Sequence, residues 1–202
     1  MARSRSFRAY GLAVIGGILA GSGSALALSG LFPGFGAMSD GTVNLDGWKA
    51  DFSTGSEAAD PYTRARIARH GLLALARSEA VYFTRNTDDQ GERLREGCRY
   101  RLSGGRMPAQ WWSVTLYDAE SRLPMNTDGA LSLDASRAGE EAWSATIAPQ
   151  APDEGLWLSS RGGGQFDLTL RLYVPDARLI EDPAGTLAPP RVERLACAGG
   201  AT

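Results

Sequence analysis

A chain of 202 residues with 43% hydrophobic residues and a formal net charge of −2 describes one domain with a substantial core. Its charge balance excludes a disordered or broadly cationic chain, and with it a general nucleic-acid binder. One His and two Cys are too few ligands for a His/Cys zinc site, and no cofactor-binding fingerprint is present.

The charge is unevenly placed. Arg3, Arg5 and Arg8 are the only charged residues before Asp40, whereas the remainder carries 18 bases and 23 acids. Residues 9–32 are mostly apolar or small, and as a helix would span roughly 36 Å, enough for a hydrocarbon core of about 30 Å. Basic residues before the run place residues 1–8 in the cytoplasm and the rest of the chain across the membrane. A cleaved signal peptide competes with this reading, with Ala25-Leu26-Ala27 as its small-x-small site. The run continues past that site to Phe35, which favours an uncleaved anchor. Small residues recur at every fourth position, including Gly17 and Gly21, a spacing that would let two copies pair in the membrane.

Residues 33–47 are rich in Gly, Ser and Asp and read as a linker, leaving residues 48–202 as the main domain. Trp48 to Ser53 suits a short first strand. Asp60 and Pro61 then look like the cap and first position of an amphipathic helix whose period continues to about Phe83. Ala65, Ala68, Leu72, Leu75, Ala76 and Phe83 share its apolar face, opposite Arg66, Arg69, His70 and Arg77. Glu79 falls within that apolar face, where a carboxylate must be paired, hydrogen-bonded or protonated.

Beyond the helix the period becomes two. Alternating segments begin at Cys98, Trp112, Trp143 and Phe166, separated by turn clusters such as Gly104-Gly105, Asp128-Gly129 and Gly162-Gly163-Gly164. The pattern predicts a mainly β chain: an antiparallel β-sandwich or jelly-roll-like domain with one early amphipathic helix, preceded by an N-terminal transmembrane helix. After Pro189 and Pro190, residues 191–197 can join only as an edge strand. Asn86, Asp88, Gln90 and Gly91 imitate a calcium loop, but Gly97 stands where the bidentate Glu is required, so a hairpin turn is expected.

Cys98 and Cys197 both fall in the part placed outside the cytoplasm, where they would pair as a disulfide; two separate buried thiols are the alternative. Trp111, Tyr117, Asn126, Arg171 and Tyr173 are the candidate ligand-binding residues. Aromatics offer flat faces, and arginine can engage an anionic group with two hydrogen bonds. Alternation sends Trp111 and Trp112 to opposite faces, so one of them is core. Glu79 and Asp118 are the candidate catalytic pair, should they face one another across a cleft.

Several of these residues also form a known pattern. Asp60-Pro61-Tyr62-Thr63-Arg64-Ala65, Glu79-Ala80 with Tyr82-Phe83, and Pro108-Ala109 before the 111–118 segment WWSVTLYD are its first parts. Asn126, Trp157-Leu158 and Arg171-Leu172-Tyr173 with Pro175 complete it. Over about residues 46–195 the chain resembles the bacterial family known as domain of unknown function 1214. The resemblance implies a β-sandwich that often follows a second domain, of unknown function 1254, in longer proteins. A separate membrane protein carrying that second domain is therefore the expected partner. The family supplies no reaction. The combined expectation is a single-pass inner-membrane protein of a Gram-negative bacterium whose periplasmic sandwich is a binding or assembly module. An envelope hydrolase acting on a glycan-like substrate is the alternative.

Overall fold

The computed structural model describes residues 2–28, 42–52, 64, 75–139 and 141–198. Helix α1 (Ala2–Leu28) contains an apolar stretch, Tyr10–Ala27, long enough to cross a membrane by length and composition. None of that stretch is buried, and a Cβ added at Gly17 or Gly21 would meet nothing within 4 Å.

The rest is mainly β. Among the described residues ten strands follow: β1 (Thr42–Leu45), β2 (Trp48–Asp51), β3 (Ala80–Arg85), β4 (Cys98–Gly104), β5 (Ala109–Asp118), β6 (Ser132–Asp134), β7 (Trp143–Ala148), β8 (Leu156–Ser159), β9 (Phe166–Pro175) and β10 (Arg191–Cys197). Among the described residues three short helices interrupt them: α2 (Ala135–Ala138), α3 (Ala177–Glu181) and α4 (Pro183–Thr186). The strands form a six-stranded sheet, β1-β2-β3-β9-β5-β6, and a four-stranded sheet, β10-β4-β7-β8. Every pairing is antiparallel except β7 with β8.

The core lies between the sheets. β9 carries the clearest alternation, and its Phe166, Leu168, Leu170 and Leu172 are fully buried. They meet side chains of the opposite sheet: Phe166 packs edge-on against Tyr100 of β4, and Trp112 of β5 stacks on Trp143 of β7 with centroids 4.7 Å apart. Gly104 is what lets that Trp pair sit so close to the backbone. A Cβ at Gly104 would lie 2.6 Å from Cζ2 of Trp143, whose ring is already held by Trp112. Gly104→Ala is therefore expected to cost about 1–3 kcal/mol by overpacking, read as a lower melting temperature; an unchanged melt would contradict this packing.

Two sequence expectations need correction. The segment read as a linker contains β1, which pairs residue by residue with β2 from Thr42↔Asp51 to Leu45↔Trp48. The amphipathic helix does not extend to Phe83. Residues 77–79 turn, and β3 begins at Ala80. Phe83 continues the helical period seven residues after Ala76, but Val81 and Phe83, two apart, share a face only in a strand. Six paired positions on β9, from Ala80↔Tyr173 to Arg85↔Leu168, decide in favour of the strand. Positions 60–63 and 65–74 of the expected helix, His70 among them, lie outside the described residues.

β10 is the edge strand the two prolines allow. Cys197 sits directly opposite Cys98 of β4, and the two are joined by a disulfide.

Candidate binding surface

Pleating sends alternate side chains of β3, β9 and β5 away from the core, and there the residues with the richest chemistry converge. Tyr173 lies opposite Trp111, and Arg171 lies opposite both Tyr82 and Ser113. The Arg171 guanidinium donates to Thr115 Oγ1 at 3.0 Å and to the Tyr117 hydroxyl. It also sits 5.3 Å from the Tyr117 ring centroid and 6.0 Å from that of Tyr82. Ser113, Thr115 and Thr169 make a buried hydroxyl floor beneath it. Burial and the neighbouring Tyr173 push the Tyr82 phenol above its ordinary pKa, against the opposing pull of Arg171.

At the far end of this face the Trp111 ring lies 5.3 Å from Tyr173, tilted by 53°, and its Nε1 donates to Ser136 Oγ at 3.3 Å. Trp111 remains 39% exposed, whereas Trp112 is buried, as alternation requires. Four of the five candidate ligand residues thus share one face. Asn126 does not. Its Nδ2 donates to the Arg161 carbonyl at 2.7 Å and its Oδ1 accepts from the Asp128 amide at 3.1 Å. It joins a loop clasp in which Asp128 pairs with Arg161 and accepts from Ser159, contacts that hold the Asp128 carboxyl below its ordinary pKa.

The candidate catalytic pair is not a pair. Glu79 is exposed on the turn before β3, and its carboxylate accepts from the Ala76 amide at 3.0 Å. Asp118 accepts from the Glu120 and Arg122 amides at 3.0 and 2.8 Å, closing the turn after β5. Ala80 pairs with Tyr173 and Asp118 with Phe166, seven positions apart along β9. That sets their backbones roughly 23 Å apart along the sheet, too far for the side chains to close to the spacing of about 5–10 Å that glycoside hydrolysis uses. The physical reason is the turn at residues 77–79: without a helix through this segment, Glu79 has no apolar face to be buried in.

Sequence reasoning missed a second polar cluster. Inward alternation at Val81 and Phe83 brings Arg85 to the end of the sandwich, 3% exposed. Its Nε donates to the Thr87 carbonyl at 2.6 Å and its Nη2 to Asp89 at 2.9 Å. Asp89 also accepts from the Val192 amide and from Arg191 of β10. Burial raises the Asp89 carboxyl, but the Val192 amide with Arg191 and Arg85 outweighs it and holds the group below its ordinary pKa. Next to it, buried Asp88 accepts from the Gln90 and Glu92 amides and lies 3.3 Å from Arg194 Nε. The loop expected to be a hairpin turn is one, and its acids serve as fasteners. Among the described residues no three His, Cys, Asp or Glu side chains are arranged to hold a metal ion.

Because Asp89 is depressed, its stabilising contribution is complete above the ordinary carboxylate pKa near 4 and lost as pH falls through the folded value. Asp89→Asn should cost about 1–3 kcal/mol at neutral pH, and the gap to wild type should close on acidification. Denaturant titrations across that range check this, and a gap independent of pH would contradict it.

Comparison with known proteins adds the family and supports the architecture. No curated protein matches the sequence. Among solved structures, the VPA0106 protein of Vibrio parahaemolyticus superposes with a TM-score of 0.55 at 19% identity, covering 69% of this chain and 36% of that one. An uncharacterized protein from Burkholderia cenocepacia gives 0.43 at 13% identity, covering 57% of this chain and 29% of that one. The chain thus spans about a third of the length of the structures it matches. The Vibrio likeness concerns the fold alone. Residues 79–177, from the turn before β3 to the start of α3, match a family described as "Protein of unknown function (DUF1214)". Over that stretch the β domain of this chain is similar to the DUF1214 family.

Proposed function

We propose that the β domain is a non-catalytic binding or assembly module of the bacterial envelope. In this reading α1 is a single-pass inner-membrane anchor with its N-terminus in the cytoplasm, and the domain stands in the periplasm. The observation that supports the reading is the outward face of the six-stranded sheet. There Arg171 is braced between two tyrosines at one end, and an exposed Trp111 is braced by Tyr173 at the other. Aromatic and arginine side chains are the types that anchor interfaces. The carboxylates that a hydrolase would need are engaged in separate turns. The partner class that suits this surface is a separate membrane protein carrying the domain of unknown function 1254. The Gly17 and Gly21 ridge would additionally let two anchors pair.

Met125 is 97% exposed and both native cysteines are bonded, so Met125→Cys offers a single labelling site. In intact spheroplasts a membrane-impermeant maleimide is expected to label it. Labelling only after lysis would overturn the periplasmic placement. For the module itself, Arg171→Glu is expected to abolish co-isolation of an envelope partner. Arg101→Glu, on the opposite sheet in an exposed ion pair with Glu193, is expected to leave it intact. Equal retention or equal loss in two variants of matched melting temperature would contradict the assignment.

A further inference from the structure

We infer that the Trp111 end of this face is a saccharide subsite, with a neutral pyranose unit stacked on the indole. The inference rests on the binding-module reading and names its ligand class. Four observations meet there.

The first is a cleft of about 470 Å³ between the start of β5, α2 and the end of β9, with Trp111 in its wall. That volume is of the size that holds a small ligand. The second is the indole itself. It is 39% exposed, yet fixed by its bond to Ser136 and by Tyr173, so it presents a flat face at little entropic cost. The third is the polar lining. Arg106, Gln110 and Asp176 are exposed along the cleft, and the Asp176 carboxylate makes no capping bond to the helix it precedes. These planar side chains can each address two neighbouring hydroxyls, and one base with one acid leaves the lining near neutrality. A polyhydroxylated, uncharged ligand fits both properties, whereas an anion would meet Asp176.

The fourth is the backbone two residues before Asp176. Val174 adopts φ +46°, a left-handed conformation that a β-branched residue rarely takes. Its amide donates to the Glu79 carbonyl at 2.8 Å, which holds the twist in place. Continued alternation would send Val174 inward after Leu172. The twist instead leaves it 47% exposed and buries Pro175. Backbone strain of this kind concentrates at ligand-contacting positions.

The test uses the full chain in detergent, titrated with maltohexaose, chitohexaose, laminarihexaose and cellohexaose by calorimetry. At least one should bind, with Trp111→Ala and Gln110→Ala each weakening affinity about tenfold or more, and Trp111→Tyr retaining most of it. Arg101→Ala, on the opposite sheet, should leave saccharide affinity unchanged. Absence of binding to all four, or binding that Trp111→Ala does not weaken, overturns the subsite. In either case, Arg171-dependent co-isolation of a partner would leave the module reading standing, so the two failures are distinguishable.

Discussion

Replacing Cys98 and Cys197 together by serine is expected to lower the melting temperature by roughly 10–20 °C. The two residues are 99 apart in sequence, and in the chain-entropy model closing a loop of that length stabilises by about 4–5 kcal/mol. Location adds a second reason. β10 is an edge strand paired only with β4, and the disulfide joins directly opposite residues at its far end. Opening it leaves the strand attached by its ladder and by the polar cluster near Arg191. The double variant should therefore also show faster amide exchange in β10 than in β9. Reductant should reproduce both effects in the wild type and neither in the variant. A wild-type melt indifferent to reductant would contradict the staple, as would two free thiols in protein purified under oxidising conditions.

Arg85→Ala is the second large effect, an expected loss of about 3–5 kcal/mol. Arg85 is a buried cation whose guanidinium joins three segments. It holds its own loop through the Thr87 carbonyl and reaches β10 through Asp89. It also packs beneath the β1–β2 turn, where a Cβ on Gly47 would come within 3.3 Å of its Nε. Trp48, on the other side of that turn, donates from Nε1 to the Pro190 carbonyl at 2.7 Å, so the same knot fixes the chain entering β10. Arg85→Lys should recover only part of the loss, because an ammonium cannot reproduce the planar fork. Equilibrium denaturation measures both, and a cost below about 1 kcal/mol for Arg85→Ala would show the cluster to be a surface ion pair in effect.

Much of this architecture is legible in the residues, and the reason is periodicity. Phe166 to Leu172 alternates so cleanly that β9, the strand holding β3 and β5 together, is readable directly. The same rule separates buried Trp112 from exposed Trp111, and aligning β9 with β5 gathers Trp111, Tyr117, Arg171 and Tyr173 on one face. The cysteine pair is legible through compartment logic.

What was not legible depends on long-range pairing. Phe83 satisfies both the helical period from Ala76 and a strand shared with Val81, so the ladder to β9 decides between them, and with that decision goes the expected burial of Glu79. Arg85 was missed for the same reason, since its inward position appears only when Val81, Phe83 and Arg85 are read at period two. β1 has only four residues, with Val43 and Leu45 packed against the core. Asp46-Gly47 between it and β2 is a two-residue hairpin signal, with Gly47 at φ +87°, but the Gly, Ser and Asp content of residues 33–47 does not by itself show a strand. Nor does any local pattern announce the left-handed Val174.

In the proposed function, the outward face of β3, β9 and β5 is where this domain meets its ligand or partner. A photo-crosslinking residue placed at Tyr173 in growing cells, compared with one at Arg101 on the opposite sheet, tests it most directly. Discrete adducts are expected from position 173 that disappear when Arg171→Glu is added, and none from position 101. No adduct from position 173, or the same adducts from both positions, would contradict it.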